Sequence, residues 1–162
     1  TWSHDGRRIA FTVQRDGDAV PQVYVLSLAG GEAERVTTLS TGARSPRFAP
    51  DGSAILFTSL VDRAAKDDAD SQRIAEEKKA RKHNVRVYTG FPIRNWDRWM
   101  DERQIRPFVQ PLAGGPARDL LAGSQLVAGP GYGGRQTDTG EELDAEWTPD
   151  GTGVVFSATT NR

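Results

Sequence analysis

A short aromatic and charged segment carries the side chains best suited to recognising a ligand. Arg94, Trp96 and Asp97 lie within four positions of one another, and Arg98 and Trp99 follow directly. Guanidinium groups make cation–π contacts with aromatic rings and bidentate ion pairs with carboxylates, which is the chemistry needed to hold a peptide or an anionic group. The same residues can instead pack an arginine on aromatic rings to fix the segment against a sheet. The packing role is favoured, and Arg94, Trp96 and Asp97 stay candidate substrate-binding residues.

A glycine-rich stretch at 129–135 precedes a second candidate group, the acidic pair Glu141 and Glu142. The stretch is not a phosphate cradle, because no Gly-Lys-Ser/Thr follows it and its spacing does not match the dinucleotide fingerprint. We predict a mobile loop at the rim or mouth of the fold. Its acidic end offers carboxylates that suit the amino group of a substrate, but a merely solvated acidic loop is favoured.

The chemistry of a complete catalytic or metal site is missing from the sequence. The chain has no cysteine and two histidines, His4 in a turn-like motif and His83 at the end of a charged run. No Gly-x-Ser-x-Gly elbow is present, so we predict no catalytic residue. Asp68-Ala69-Asp70 resembles the start of a calcium loop, but Arg73 replaces the required glycine and Lys79 the bidentate glutamate. We therefore expect no metal and no cofactor.

Charge and hydropathy exclude two kinds of partner. The 162 residues include 21 Lys and Arg against 22 Asp and Glu, a net charge of -1, so no positive field attracts nucleic acid. No run of about 18 apolar residues occurs, and no signal-peptide pattern opens the sequence. The sequence therefore predicts no nucleic-acid partner and no membrane span, and it leaves the periplasm and the cytoplasm open as compartments.

An internal repeat indicates how these residues are positioned. One motif occurs three times, at 2–11, 48–57 and 147–156. Each copy has an aromatic residue, a small residue, a turn of the Pro-Asp-Gly type and an alternating apolar run. Proline presets φ, aspartate bonds to the backbone beyond it, and glycine takes a positive φ, so each copy predicts a β-hairpin.

A second unit, strand, Gly-Gly turn and strand, lies between the copies at 23–36 and again at 108–120. Asp5 and Asp51 are 46 residues apart, whereas Asp51 and Asp150 are 99 apart, so the second repeat carries two insertions, the first at about 61–104 and the second at 123–142. Four short antiparallel strands in about 46 residues are typical of a β-propeller blade. A sandwich of tandem hairpins is the structural alternative, but sandwiches seldom reuse one turn at one offset.

The fold class predicted from this repeat is all-β, a partial propeller of four-stranded antiparallel blades, about one full and two partial. Propellers close with about four to eight blades, so we expect a segment of a longer protein whose uncovered strand edges pair with other sheets or with further copies of the chain. The predicted parts of this incomplete propeller, residues 1–162, are a blade part at 1–40, a blade at 41–122 with a helical insertion at about 61–104, and a blade part at 143–162.

The first insertion contains a predicted surface helix at 67–83. Acidic residues lead this stretch and basic residues end it, which suits the helix macrodipole. The stretch contains few apolar residues, so the helix should lie on the surface rather than in the core. A solvated helix is favoured over a docking element.

The repeat resembles the N-terminal propeller of the prolyl oligopeptidase family of serine peptidases, and TolB-type propellers share it. The discriminating stretch is 91–115, where Phe-Pro-Ile-Arg-Asn-Trp-Asp-Arg-Trp precedes Arg-Pro-Phe-Val-Gln-Pro-Leu-Ala-Gly-Gly. This combination is similar to the dipeptidyl-peptidase and acylaminoacyl-peptidase branch. The long charged insertion before it also fits that branch better than TolB.

The resemblance implies a function in which this chain is not catalytic. The family's Ser, Asp and His lie in a C-terminal α/β-hydrolase domain that this chain lacks, so that domain and a peptide substrate are the implied partners. The propeller would cap the active site, filter peptides by size and hold the free N-terminus of a peptide on acidic residues, for which Glu141 and Glu142 are the candidates. The alternative is a TolB-like protein-binding propeller without enzymatic activity.

Overall fold

Three antiparallel sheets, one from each copy of the repeat, form the main body of the fold. In the computed structural model the elements are, in chain order, β1 (Arg8–Val13), β2 (Gln22–Ser27), β3 (Glu34–Arg35), β4 (Arg44–Phe48), β5 (Ala54–Asp62), α1 (Asp68–Ala80), β6 (Arg94–Asn95), β7 (Arg98–Trp99), β8 (Arg103–Pro111), β9 (Arg118–Asp119), α2 (Gln125–Ala128), β10 (Arg135–Thr137), β11 (Gly140–Glu142), β12 (Asp144–Trp147) and β13 (Val154–Ser157). The structure describes residues 1–83, 85, 87–88, 93–95, 97–100, 102–129, 131–137 and 140–161.

The strand orders follow the repeat. Sheet 1 has the order β1-β2-β3, and Trp2 adds an isolated bridge to Ile9 at its edge. Sheet 2 has four strands in the order β4-β5-β8-β9, and sheet 3 consists of β12 and β13. The described residues are thus mostly β, with two helices and several small antiparallel sheets, and they do not form a closed propeller. The four-residue helix α2 was not predicted from the sequence.

The turn that opens each copy of the repeat has the same backbone geometry. Gly6, Gly52 and Gly151 have φ of +68°, +69° and +70°, a region that favours glycine. The N–H of each glycine donates to the carbonyl three residues earlier at 2.8–2.9 Å. The aspartate before each glycine accepts a backbone N–H from two residues further on. The three sequence copies are therefore three copies of one turn.

The aspartate of the third turn, Asp150, should make the stability of that turn sensitive to acid. Hydrogen bonds from the Thr148 hydroxyl, then from the N–H and hydroxyl of Thr152, lower the pKa of Asp150 to about 2. Because this folded-state pKa lies below the ordinary value of 3.8, the turn's contribution to stability is complete above pH 3.8 and is lost as the pH falls to about 2. In Thr148→Val we expect the pKa of Asp150 to rise towards 3.8, as measured by NMR titration of the carboxyl carbon. An unchanged pKa would contradict this assignment, and Thr12→Val, an exposed strand position, is the control.

Sheet 2 is buried on both faces. Successive side chains of a strand point to opposite faces, and every residue from Ala54 to Ser59 of β5 is buried. Ile55 and Phe57 pack against sheet 1, whereas Leu56 packs against sheet 3. The two buried clusters are Ala10, Val23, Ala43, Phe48, Ile55, Phe57, Val61 and Phe108 on one side, and Ala49, Ala54, Leu56, Val109 and Ala145 on the other.

Polar contacts also connect each sheet to the next. The Arg8 guanidinium donates to the Gly52 carbonyl at 2.9 Å, which links sheet 1 to the turn of sheet 2. Arg47 and Glu146 form an ion pair of 2.6 Å between sheets 2 and 3, and the Trp147 indole N–H donates to the Arg47 carbonyl at 3.3 Å. The sheets therefore follow one another face to face along the chain.

The helix α1 forms within the predicted charged stretch and is held at both ends. Asp67 caps its N-terminus by accepting the Asp70 N–H at 2.8 Å. Asp68 accepts the backbone N–H of Ser40, from the link between sheets 1 and 2, at 2.9 Å. At the other end Lys78 donates to Asp62 at 2.6 Å. No described helix has the length and hydropathy required to span a membrane.

The glycine-rich loop is packed, which corrects the expectation of a mobile loop. Tyr132 is 1% exposed, and Gly133 exchanges two backbone hydrogen bonds with Thr159, at 3.0 and 2.8 Å. A Cβ on Gly131 would collide with the Thr160 carbonyl, and one on Gly134 with the Glu142 carbonyl. Gly131 and Gly134 are therefore required by the close approach of two backbone segments rather than by loop flexibility.

Candidate functional site

The first candidate group lies on the small hairpin β6–β7. The Arg94 guanidinium lies 5.8 Å from the centre of the Trp99 ring, and the Tyr88 ring stacks on the same ring with centroids 6.1 Å apart. The Tyr88 hydroxyl donates to the Met100 carbonyl at 3.0 Å, which holds the hairpin to the preceding segment. Trp99 remains 52% exposed, so the aromatic stack presents a face to solvent.

The predicted residues of this group have different outcomes. Arg94 is exposed and contacts Trp99, the aromatic neighbour that was not among the candidate residues. Asp97 is exposed in the turn between β6 and β7. Trp96 lies outside the described residues. The arrangement fits both interpretations made from the sequence, because the arginine packs on an aromatic ring while the hairpin keeps polar groups in solvent.

The second candidate group lies on β11, and its two glutamates have different environments. Glu141 is 8% exposed, and its Oε1 accepts the Gly134 N–H at 2.6 Å, so its carboxylate holds the glycine-rich loop. Glu142 is exposed and pairs with Arg135 at 3.1 Å. The structure places the two candidate groups on separate two-stranded sheets, β6–β7 and β10–β11.

A buried polar cluster, which we call the Arg106 cluster and which the sequence analysis missed, lies beside the second insertion. It consists of Gln104, Arg106 and Asp119. Arg106 pairs with Asp119 at 3.1 Å and donates to the Gln104 side-chain carbonyl at 3.1 Å. Gln104 in turn donates to the Val127 carbonyl of α2 at 3.2 Å. The cluster thus joins strand β8 to strand β9 and to the second insertion.

The repeat contains the signal that would have found this cluster. When the Gly-Gly turns are superposed in sequence, Arg106 occupies the position of Gln22 in the first repeat. Gln22 is also buried, and it bonds to Thr37 at 2.7 Å and to the Leu39 carbonyl at 2.7 Å. Both repeats therefore place a buried polar side chain on the strand that precedes the Gly-Gly turn, β2 in sheet 1 and β8 in sheet 2. Arg106 Nε has no hydrogen-bond partner within the described part of the chain.

Tyr132 is the most deeply buried hydroxyl near this cluster. Burial, and after it the charge of Glu141, raises the pKa of Tyr132 far above its ordinary value of 10. The phenol is therefore neutral at any physiological pH, and it donates to the Ile105 carbonyl at 2.9 Å. A neutral phenol cannot act as a general base, and its bond to the Ile105 carbonyl anchors the loop.

A small crevice lies between sheets 2 and 3. Its volume is ≈ 70 Å³, about the share of two water molecules in the liquid. Ser45 at its edge has φ of +51° and lies in a β-bulge between Arg44 and Arg47. A crevice of this volume has room for a few water molecules or an ammonium group. Its lining residues are Ser45, Arg47, Leu56, Thr58, Glu142, Leu143, Asp144, Ala145 and Glu146.

Metal-binding chemistry finds no support in the described ranges. Among these residues no group of three or more His, Cys, Asp or Glu side chains lies close enough to hold a metal ion. His4 and His83 are both exposed, in the first turn and just after α1. The Asp68 carboxylate accepts the Ser40 N–H, and the Asp70 carboxylate accepts the Lys66 N–H and pairs with Arg73.

The comparisons with known proteins point to a peptidase-related, propeller-like region. No protein-family model matches the chain. It is 26% identical over 160 residues, 97% of its length, to dipeptidyl-peptidase 5 of Porphyromonas endodontalis, covering 21% of that protein. It is 47% identical over 57 residues, 35% of its length, to the uncharacterized peptidase YuxL of Bacillus subtilis, covering 8% of that protein.

A third similarity is to a protein that is not named as a peptidase. The chain is 40% identical over 58 residues, 36% of its length, to the Tol-Pal system protein TolB of Alcanivorax borkumensis, covering 13% of that protein. The chain spans about a fifth or less of the length of each of these three curated relatives. Of the three alignments described here, the one with a dipeptidyl-peptidase extends over nearly the whole chain.

Proposed function

We propose that this chain is a non-catalytic part of a β-propeller within a serine peptidase of the dipeptidyl, acylaminoacyl or oligopeptidase type. Its role is to gate or bind peptide substrates for an α/β-hydrolase domain of the same protein. The observation that carries the proposal is the similarity to dipeptidyl-peptidase 5 over 97% of the chain. The face-to-face sheets and the thrice-repeated turn support the propeller part of it.

The exposed groups of the chain suit contact with a peptide. On the β6–β7 hairpin, Arg94 and Asp97 offer opposite charges beside the exposed Trp99 ring. On β11, Glu142 offers a carboxylate at the crevice between sheets 2 and 3, which has room for an ammonium group. Trp96 and Glu141 complete the proposed set, Glu141 by shaping the loop from within. A peptide's backbone and free amino group are bound by these kinds of side chain.

Peptide hydrolysis by the natural full-length protein tests this role. We expect Arg94→Ala and Glu142→Gln each to raise KM for a chromogenic dipeptide substrate several-fold while kcat changes little, because the groups bind substrate and do not touch the reacting atoms. Arg7→Ala and Glu32→Gln, both exposed on the turns of sheet 1, are the matched controls. Unchanged KM in both variants would overturn the substrate-binding assignment.

A second function has one observation in its favour, the 40% identity with TolB over 58 residues. In that case the propeller binds another protein and carries no enzyme. The natural reading frame separates the two functions. A Gly-x-Ser-x-Gly elbow with a downstream Asp and His supports the peptidase. A frame that encodes only further sheets of this repeat overturns it in favour of the binding propeller.

A further inference from the structure

The segment Arg81-Lys82-His83 has the properties of a protease cleavage site. It follows α1 directly, and all three of its residues are exposed. Arg81 has φ of −65° and ψ of 132°, so the backbone leaves the helix in an extended conformation. Trypsin-like serine endopeptidases take an arginine or lysine side chain into an acidic specificity pocket. They cut most readily at exposed chain segments outside regular structure.

Two basic residues of α1 lack this combination. Arg73 lies within α1 and is paired with Asp70 and Glu77. Lys78 is also helical and is paired with Asp62 and Glu102. Cleavage at either position requires the helix to unfold and ion pairs to break, whereas the peptide bonds after Arg81 and Lys82 lie beyond the end of the helix.

The two sides of this segment are held together without the covalent link. Strand β5 lies before the segment and β8 after it, and they pair over nine residues, from Ala54 with Pro111 to Asp62 with Arg103. Phe57 and Phe108, one on each strand, stack within the buried core. Lys78 and Glu102 form an ion pair of 3.1 Å across the same break. A chain cut between them therefore keeps its central sheet.

We propose that Arg81-Lys82-His83 is a processing site for a trypsin-like serine endopeptidase, and that the cut chain remains one folded unit. Hydrolysis adds one water across the peptide bond that follows Arg81 or Lys82. The carbonyl carbon of that residue takes the hydroxyl and becomes a carboxylate, and the nitrogen of the next residue leaves as an amine. The cut breaks the covalent link between α1 and the β6–β7 hairpin that carries Arg94. The helix stays joined to β5 along the chain, and the hairpin stays joined to β8.

Limited digestion of the native protein by trypsin tests this proposal. Intact mass spectrometry at early times is expected to find one pair of products, ending at Arg81 or Lys82 and beginning at the following residue. Both products are expected to elute together in native gel filtration. In Arg81→Gln/Lys82→Gln the first cut should slow by at least about tenfold, because the segment then offers no basic side chain to the specificity pocket of the enzyme. Lys79→Gln, an exposed lysine on α1, is the matched control and should leave the rate unchanged.

Each outcome decides part of the proposal. A first cut at any other arginine or lysine of the wild-type chain overturns the site, and so does an unchanged rate in the double variant. Separate elution of the two products overturns the claim that the cut chain stays folded. The position of the first cut is read from the wild-type protein, so it does not depend on how well a variant folds.

Discussion

Replacing Phe57 with alanine is expected to lower the free energy of unfolding by about 3–5 kcal/mol, the usual cost of removing a buried phenylalanine ring. Phe57 is 0% exposed at the centre of the cluster between sheets 1 and 2, and its ring stacks on Phe108 with centroids 5.5 Å apart. Sheet 2 is covered on both faces, so the surrounding side chains have little freedom to close the cavity.

Urea denaturation followed by tryptophan fluorescence measures this loss. Because small domains are stable by about 5–15 kcal/mol in total, Phe57→Ala is expected to shift the midpoint strongly towards low urea. Val155→Ala is the control, since Val155 is 65% exposed on the outer face of sheet 3 and its truncation should change stability by less than about 0.5 kcal/mol. A loss below about 1 kcal/mol in Phe57→Ala would contradict the packing described for sheet 2.

Removing the carboxylate of the Arg106 cluster should be comparably severe. In Asp119→Ala the Arg106 guanidinium, whose side chain is 7% exposed, loses its ion-pair partner and keeps a buried charge. Breaking a buried pair in this way costs about 3–5 kcal/mol. The Leu121 N–H also loses an acceptor, because it donates to Asp119 at 2.8 Å.

A double-mutant cycle separates the ion pair from these other losses. We expect Arg106→Met/Asp119→Ala to be more stable than Asp119→Ala alone, since the double variant leaves no unpaired buried charge. Glu77→Ala is the control, because its pair with Arg73 is more than half exposed and should be worth less than about 1 kcal/mol. Strictly additive losses would show that Arg106 and Asp119 do not stabilise the fold as a pair.

The repeat made the sheets predictable, because a turn that requires a positive φ is marked in the sequence by a glycine at a fixed position. The three Asp-Gly turns and the two Gly-Gly turns are located in the structure where the sequence puts them. The charged helix was also predictable, since acids before bases and scarce apolar residues are local properties of one segment. A closed propeller and the position of this segment within a longer protein stay predictions.

The second insertion could not be predicted, because its conformation depends on distant backbone. In the sequence, Gly131 and Gly134 indicated a flexible loop. In the structure, Gly131 faces the Thr160 carbonyl and Gly134 faces the Glu142 carbonyl. Because the loop was expected to be mobile, Glu141 was predicted to be an exposed substrate-binding residue. It is buried, and its carboxylate accepts a hydrogen bond from the Gly134 N–H. For Arg94, the sequence predicted packing on aromatic rings but neither the β6–β7 hairpin nor the particular ring, Trp99.

The pairing of β5 with β8 also determines the order in which the sheets can form. Forty residues separate the paired ends Asp62 and Arg103, whereas eight separate Val13 and Gln22 at the corresponding ends of β1 and β2. Closing the 40-residue loop costs about 1.4 kcal/mol more entropy than closing the 8-residue loop. The insertion therefore lowers the equilibrium stability only slightly. The insertion should, however, slow folding, because the folding rate falls steeply when paired strands are far apart in sequence. We infer that sheet 1 forms early, that sheet 2 is the slow step, and that the insertion sets the rate at which all three sheets assemble.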